Sequence, residues 1–238
     1  MNRTAIELSH RAGLISRYDV GRFPESRPVQ RVLGWSNRSL INAADITALL
    51  LCGGKGARLG GQDKPLLSLG SDKIIDHLLT RLKSQTGEII ISCSRNVARY
   101  EAYKVRIIVD ETPDEGPLGG LQSAFKAIDT EWALTCPGDI PFLAQELVTR
   151  MSDDAERQGV AVPFADNERQ NLCLLINRKR RDDLVEFYAQ GGRAVKRWLD
   201  HASIQSTDLS DLGPSFFNVN TAHELEEAIE RSNQPVRP

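Results

Sequence analysis

The sequence predicts an α/β fold in which a mostly parallel β-sheet is covered by helices on both faces. Two observations support this prediction. Short apolar runs recur along the chain from Ile46 onward, and segments whose apolar residues have helical spacing lie between them. Strands that alternate with helices are joined by crossover connections, which favour parallel pairing and place helices on both faces of the sheet.

The first predicted strand is Ile46–Cys52, a run dominated by apolar residues and short enough to be a strand buried on both faces. A helix follows, because apolar residues recur at helical spacing between Ile74 and Leu82. The same patterns predict further strands at Glu88–Cys93, Val105–Val109, Trp132–Cys136, Gly159–Phe164, Leu172–Asn177 and Phe216–Val219. They predict further helices at Asn96–Tyr103, around Leu121–Ile128, and at Leu143–Gln158, Arg180–Gln190, Arg193–His201 and Ala222–Arg231.

The first 45 residues have a different character from the rest of the chain. They show no sustained hydrophobic period, and they carry seven arginines against four acidic residues. We therefore predict a poorly ordered N-terminal extension over residues 1–45 and one domain over residues 46–238, a size that suits a single α/β domain.

Charge and cysteine content limit the classes of function. The net charge of the chain is −2, which argues against a nucleic-acid partner, because such binding needs a positive field. The four cysteines are 41, 43 and 37 residues apart, lack CxxC spacing and lie in or beside apolar runs, so we expect buried, reduced thiols. Without an apolar segment of about 18 residues or a signal-peptide pattern, we expect a cytoplasmic protein that does not contact membranes.

Several polar or glycine-rich segments directly follow predicted strands. They are the loop that begins at Gly53, the segment Ser92–Arg95, and the residues Asp110 and Asp139. In parallel sheets, ligands bind at the carboxyl ends of the strands. The sequence therefore predicts one ligand site at this edge of the sheet.

The loop from Leu51 to Lys64 contains five glycines and four charged side chains. Glycines let the backbone approach a ligand closely, and successive N–H groups together with lysine and arginine side chains form an anion site. The dinucleotide pattern GxGxxG fails because Leu59 stands at its last glycine, and the P-loop pattern fails because Gln62 stands at its lysine. The loop thus predicts phosphate binding of another kind.

This loop resembles the nucleotidyltransferase signature LxGGxxxRxGxxK, here from Leu51 through Arg58 and Gly60 to Lys64. Within that superfamily, the chain most closely resembles the molybdenum cofactor guanylyltransferases, the MobA family. Three later segments agree with that family: Gly116–Gly120 (GPLGG), Cys136–Phe142 (CPGDIPF), and Phe217–Thr221 (FNVNT) before a helix. The resemblance extends over about residues 46–229 and implies a Rossmann-like three-layer sandwich, the nucleotidyltransferase fold.

The resemblance also implies the reaction, in which GMP is transferred from GTP to molybdopterin with release of pyrophosphate and with Mg²⁺ as cofactor. The residues implied as catalytic are Arg58, Lys64 and Asp139, and Asp139 is also the implied metal ligand. The implied GTP-binding residues are Leu51, Cys52, Gly53, Gly54, Lys64, Ser92, Asp110 and Asp139. Asn218 and Asn220 match positions on the molybdopterin side. The implied partners are GTP, molybdopterin, and transiently the proteins that deliver the cofactor or act as molybdoenzyme chaperones, with a monomeric enzyme.

Some positions depart from the family pattern or allow another interpretation. Cys52 replaces an alanine, and Ser92 stands where an amide side chain is common. Gly138 is expected to make the segment Cys136–Phe142, the aspartate loop, more flexible. Asp110 could be a turn former, and Asn218 and Asn220 could cap the last helix. A molybdopterin cytidylyltransferase, another nucleotidyltransferase of this fold, and a non-catalytic nucleotide-binding regulator remain alternatives.

Overall fold

The computed structural model describes residues 41–53, 61–110 and 116–233. Its strands are β1 (Ile46–Leu51), β2 (Ser68–Leu69), β3 (Asp72–Lys73), β4 (Glu88–Cys93), β5 (Arg106–Val109), β6 (Trp132–Pro137), β7 (Val160–Ala161), β8 (Pro163–Ala165), β9 (Glu168–Arg169), β10 (Leu175–Asn177) and β11 (Thr207–Asp208). Its α-helices are α1 (Ile74–Lys83), α2 (Val97–Glu101), α3 (Pro117–Phe125), α4 (Leu147–Gln158), α5 (Arg178–Ala189), α6 (Val195–His201) and α7 (Ala222–Ser232). Short 3-10 helices cover Ala43–Asp45, Lys64–Leu66 and Ser210–Phe216.

The central sheet has six strands in the order β5-β4-β1-β6-β10-β7. Strands β5, β4, β1 and β6 pair in parallel, whereas β10 is antiparallel to both β6 and β7. The predicted mostly parallel sheet is therefore confirmed. The antiparallel strand follows from the connection after β7, where the chain forms β8 and β9 as a hairpin and returns to the sheet in the opposite direction.

Side chains of successive strand residues divide the core into two layers, one on each face of the sheet. In β1, Ala48 and Leu50 point to one layer, which also contains buried residues of α1, α4 and α7. Leu49 points to the opposite layer, where α3, α5 and α6 contribute their buried residues. This arrangement is the predicted three-layer sandwich, and it explains why the first strand is apolar on both faces.

The packed core includes residues before β1. Ile41 is buried in the same layer as Leu50, and the side chain of Asn42 caps the 3-10 helix Ala43–Asp45 by accepting from the N–H of Ala44. A Cβ on Gly87 would lie 2.9 Å from the Cα of Ala44, so this turn fits closely against the loop before β4. The boundary predicted between residues 45 and 46 falls inside this packed segment, and residues 1–40 lie outside the described part of the chain.

Two predicted strands differ from the structure. The run predicted at Gly159–Phe164 is divided into β7 and β8, because β7 pairs in the central sheet while β8 pairs with β9 and β11 in a second, three-stranded sheet. The strand predicted at Phe216–Val219 is wrong. Ser210–Phe216 is 3-10 helix, and Val219 instead donates its N–H to the carbonyl of Asp139 at 2.8 Å.

A buried hydroxyl joins the segment just before β10 to β6. Thr135 is fully buried, and its Oγ1 accepts from the N–H of Leu174 at 2.9 Å while donating to the carbonyl of Leu172 at 2.7 Å. Residues 172–174 lie just before β10. The Thr135 hydroxyl therefore satisfies two of their backbone groups, which a neighbouring strand would otherwise pair.

Within the described residues, the helices are all too short or too polar to cross a membrane.

Candidate active site

A cavity of about 360 Å³ lies at the carboxyl ends of β1, β4, β5 and β6, where the sequence predicted a ligand site. Each of these strands contributes its last residues or the loop that follows it. The described residues that line the cavity are Leu51, Cys52, Gly53, Asp63, Lys64, Pro65, Ser92, Ser94, Asp110, Gly116, Pro117, Gly120, Pro137, Gly138, Asp139 and Leu172. The structure thus brings together the predicted residues Leu51, Cys52, Gly53, Lys64, Ser92, Asp110 and Asp139.

Lys64 is held by two oxygen acceptors from distant parts of the chain. Its Nζ donates to Oδ2 of Asp139 at 2.9 Å and to Oδ1 of Asn220 at 2.5 Å. The side chains of Lys64 and Asp139 are 23% and 21% exposed, so the ion pair faces the cavity without being sealed from solvent. The pair thus presents one positive and one negative group to the cavity.

The aspartate loop is fixed against β1 by a glycine. The N–H of Gly138 donates to the carbonyl of Leu51 at 2.9 Å. A Cβ at position 138 would lie 2.6 Å from Cγ of Pro65, 2.9 Å from that carbonyl oxygen and 3.4 Å from Sγ of Cys52. The structure gives glycine at position 138 a reason other than the expected flexibility: two chain segments approach too closely for a side chain.

Asn218 and Asn220 have different surroundings, although they are two residues apart. The side-chain amide of Asn218 donates to the carbonyl of Phe216 at 3.2 Å. Asn220 accepts from Lys64, and its backbone N–H donates to Oε2 of Glu224 at 2.8 Å. The helix cap is provided by Thr221, so neither asparagine side chain is the cap of α7.

Glu224 accepts several hydrogen bonds at the start of α7. Burial acts to raise the pKa of this carboxyl, but the N–H of Asn220 and the hydroxyl and N–H of Thr221 outweigh it, and Lys64 adds to the lowering. The pKa of Glu224 is consequently below its ordinary value. The side chain is an anion at neutral pH, and it lies in the field of the lysine that faces the cavity.

Asp110 and Ser92 form the opposite side of the cavity. The N–H of Asp110 donates to the carbonyl of Cys93 at 2.9 Å, which continues the pairing of β4 and β5 by one residue. A Cβ on Gly120 in α3 would lie 3.0 Å from Oδ2 of Asp110, so this glycine leaves space for the carboxylate. Ser92 is 4% exposed, and its carbonyl accepts from the N–H of Cys52 at 2.7 Å.

Sequence reasoning did not assign a role to several residues that hold the site together. Asp63, only 5% exposed, accepts from the side-chain amide of Asn96 at 3.1 Å. Arg95 donates to the carbonyls of Gly61 and Gln62 at 3.2 and 3.3 Å, which attaches the end of the glycine-rich loop to the segment after β4. The available signal was the polar pair Arg95-Asn96 after a buried strand; Asn96 has a left-handed backbone (φ 55°), which asparagine tolerates well.

Two of the predicted residues, Gly54 and Arg58, lie outside the described residues, so the structure does not locate them. Among the described residues, no group of three or more His, Cys, Asp or Glu side chains is arranged to hold a metal ion. A single carboxylate such as that of Asp139 fits a Mg²⁺ ion that takes its other ligands from substrate phosphates and water, as Mg²⁺ commonly does.

All four cysteines are buried and free, as predicted. Burial raises the pKa of Cys52 well above its ordinary value, with Asp63 and Cys93 adding to the rise. Burial together with Asp63 raises the pKa of Cys93 to about 11. The pKa values of Cys136 and Cys173 are also raised, chiefly by burial.

We expect the native protein to react slowly with the thiol reagent DTNB at pH 8. Because the raised pKa values keep the thiols protonated at that pH, little thiolate is present to attack the reagent. In denaturant, four thiols per chain should react rapidly. The measurement is the absorbance of released thionitrobenzoate, and one or more fast thiols in the native protein would contradict the buried assignment.

Comparisons with known proteins show the family to which the chain belongs. The family described as "MobA-like NTP transferase domain" matches residues 48–205. The chain belongs to the MobA-like NTP transferase family. It is thus a nucleotidyltransferase, and the resemblance found in the sequence is confirmed.

Curated relatives show to which group within this family the chain is similar. The molybdenum cofactor guanylyltransferase of Cupriavidus pinatubonensis is 36% identical over 194 residues, which cover 78% of this chain and 97% of the relative. The one from Ralstonia nicotianae is 36% identical over 205 residues, which cover 81% of this chain and 100% of the relative. Within the MobA-like family, the chain groups with the molybdenum cofactor guanylyltransferases.

Solved structures share the fold. Molybdopterin-guanine dinucleotide biosynthesis protein A from Archaeoglobus fulgidus is 22% identical, with a TM-score of 0.63, covering 78% of this chain and 98% of that one. A Mycobacterium tuberculosis protein solved in complex with manganese is 15% identical, with a TM-score of 0.60 and the same coverage. At these identities the likeness concerns the fold, and it confirms the predicted nucleotidyltransferase architecture.

Proposed function

We propose that this MobA-like enzyme transfers GMP from GTP to the terminal phosphate of molybdopterin and releases pyrophosphate. The observation that carries the proposal is the Lys64–Asp139 pair, at 2.9 Å, in a cavity where four strand ends converge. The curated relatives at 36% identity, named molybdenum cofactor guanylyltransferases, support GTP and molybdopterin as the substrates.

The reaction joins two anions, so its main requirements are alignment and neutralisation of charge. An oxygen of the molybdopterin phosphate attacks the α-phosphorus of GTP. The bond between that phosphorus and the oxygen that bridges to the β-phosphate breaks, and both electrons of the bond leave with pyrophosphate. No proton needs to be removed from an ionised phosphate nucleophile, which is consistent with a site built from cations and backbone N–H groups.

In this proposal, Lys64 and Arg58 neutralise the charge that accumulates on the departing pyrophosphate. The backbone N–H groups of Gly53 and Gly54 hold the triphosphate, as glycine-rich loops do. Lys64 is suited to its role because it lies on the cavity wall with its ammonium group already oriented by Asp139 and Asn220.

Asp139 is the proposed ligand of the Mg²⁺ ion. When bound, the ion supplies a positive charge on the phosphate oxygens. The role of Asp139 is to hold that charge beside Lys64, and its position is maintained by the bonds from Gly138 to Leu51 and from Val219 to its own carbonyl.

Leu51, Cys52, Ser92 and Asp110 are the proposed contacts for guanine and ribose. They line the side of the cavity formed by β1, β4 and β5. Ribose binding suits Asp110, because a carboxylate accepts hydrogen bonds from a diol. Asn218 and Asn220 remain proposed contacts on the molybdopterin side, where Phe216–Asn220 approaches the aspartate loop through Val219.

We further propose that the enzyme works as a cytoplasmic monomer and meets cofactor delivery proteins or molybdoenzyme chaperones only transiently. The four free, buried cysteines support a cytoplasmic location, because thiols stay reduced in that compartment. Size-exclusion chromatography with light scattering tests the monomer: a dimer at micromolar protein concentration would contradict it.

Base selectivity is the direct test of the function. Purified protein with Mg²⁺ and molybdopterin should release pyrophosphate at least about 10-fold faster with GTP than with ATP or CTP at equal subsaturating concentration. The product should be the guanine dinucleotide by mass spectrometry. Equal or faster reaction with CTP would assign a cytidylyltransferase, and binding of GTP without pyrophosphate release would assign a non-catalytic regulator.

A further inference from the structure

The C-terminal helix is connected to the cavity through a short series of hydrogen bonds. Lys64 Nζ donates to Oδ1 of Asn220 at 2.5 Å, and these two residues are 156 positions apart. The contact therefore does not follow from the secondary structure around Lys64. It depends on where the segment before α7 is placed.

The placement of Asn220 depends in turn on Glu224. Oε2 of Glu224 accepts from the N–H of Asn220 at 2.8 Å, from the N–H of Thr221 at 2.7 Å and from Oγ1 of Thr221 at 3.0 Å. A single carboxylate oxygen thus gathers three donors. It thereby holds the backbone of Asn220, the residue whose side chain accepts from Lys64.

A capping box by itself does not require all of these contacts. In a capping box, the third helical residue accepts from the N–H of the cap residue, which here is the bond from Thr221. Helix α1 has the carboxylate half of this device: Asp76 accepts from the N–H of Lys73, its cap, at 2.8 Å, while the lysine side chain makes no cap bond. The bond from the N–H of Asn220 to Glu224 is not part of a capping box. Asn220 is the residue before the cap, and its side chain accepts from Lys64 on the cavity wall.

We propose that Glu224 is a positioning residue for nucleotidyl transfer, because it orients Asn220 so that the amide oxygen restrains Lys64 on the phosphate side of the cavity. This inference rests on the proposed function, since it takes Lys64 to act on the triphosphate. It also gives Asn220 a role on the nucleotide side, in addition to the acceptor-side contact proposed above.

Two alanine variants separate positioning from helix capping. Glu224→Ala and Asp76→Ala each remove a carboxylate that accepts from the N–H of a helix cap. We expect both variants to lower Tm, and Glu224→Ala to lower it more, because Glu224 accepts two further hydrogen bonds. Only Glu224→Ala should lower kcat for pyrophosphate release, by about 10-fold, because Lys64 is no longer held in place. The KM for molybdopterin should rise as well, because Asn220 is also a proposed contact on that side, so the change that tests this inference is the one in the GTP parameters.

The route through Lys64 is tested by a double-mutant cycle on nucleotide affinity. The Kd of GTP with Mg²⁺ is measured by calorimetry without the acceptor for wild type, Glu224→Ala, Lys64→Met and the double variant. If Glu224 acts through Lys64, its replacement should weaken binding several-fold in the wild type and by less than about twofold when Lys64 is already methionine. The Glu224→Gln variant, whose amide oxygen still accepts from the N–H groups, should keep most of the affinity and rate.

Three results would overturn the proposal. They are equal kinetic effects of Glu224→Ala and Asp76→Ala, additive effects of Glu224→Ala and Lys64→Met, and a selective rise in the KM for molybdopterin with unchanged GTP parameters. Failure of the proposed function looks different, because the wild type itself would then use another nucleotide. The same double-mutant cycle is then run with that nucleotide. It remains a valid test, because every nucleoside triphosphate carries the triphosphate on which Lys64 is proposed to act.

Discussion

Replacement of Asp139 by alanine is expected to reduce pyrophosphate release from GTP by at least about 10³-fold. Asp139 is the only side chain that we assign to Mg²⁺, and it also orients Lys64 through the 2.9 Å contact. Its loss therefore affects two of the three proposed sources of positive charge at the reacting phosphates, Mg²⁺ and Lys64, and leaves only Arg58 unaffected. The measurement is the single-turnover rate with GTP, Mg²⁺ and molybdopterin.

The same substitution should have little effect on stability. The side chains of Asp139 and Lys64 are 21% and 23% exposed, and ion pairs with this degree of solvent contact contribute about 1 kcal/mol or less. Lys64 also keeps its bond to Asn220. The Asp139→Asn variant serves as the control: it keeps the volume and an oxygen acceptor, yet it should be nearly as inactive, because the negative charge is lost. A large fall in Tm for either variant would make Asp139 a structural residue.

Replacement of Gly138 by alanine should damage both the rate and the stability. The new Cβ would meet Cγ of Pro65 at 2.6 Å and the carbonyl of Leu51 at 2.9 Å, so one of the two segments has to move. We expect a loss of about 1–3 kcal/mol in the free energy of unfolding from this overpacking. We also expect about a 10²-fold fall in kcat, because Asp139 moves with the backbone of residue 138.

Gly213→Ala is the matched control for that variant. A Cβ at position 213 would meet its nearest atom, the backbone nitrogen of Asp166, at 3.7 Å, an ordinary contact distance. Chemical denaturation and the rate with GTP measure both variants. If Gly138→Ala behaves like Gly213→Ala, the close approach of the aspartate loop to Pro65 and Leu51 is not important for the site.

The strands of the central sheet were predictable because their signal is local. Strands β1, β4 and β6 are buried on both faces, and each is therefore a short apolar run in the sequence. Such a run can be recognised without knowing which segments pack against it. The strand predicted at Phe216–Val219 failed for the same reason. Phe216 and Val219 are buried, as in a strand, but Val219 has its backbone partner in the aspartate loop, about 80 residues earlier in the chain.

The residues of the site were predictable where a motif or a strand end marked them, and less so where contacts between distant segments decide their role. Lys64 and Asp139 lie in recognisable segments, and the structure brings them together. The close fit of Gly138 against Pro65 could not be foreseen, since a glycine in a loop is equally consistent with flexibility. The bonds from Asn96 to Asp63 and from Asn220 to Glu224 likewise depend on tertiary placement.

The hydroxyl of Thr135 has a consequence for engineering the enzyme. It holds the carbonyl of Leu172 at 2.7 Å from inside the sheet, while Leu172 itself is on the wall of the cavity. The backbone at position 172 is therefore anchored independently of the side chain it carries. A small library at position 172 could widen or narrow the cavity without rebuilding β10, provided that Thr135 is left unchanged.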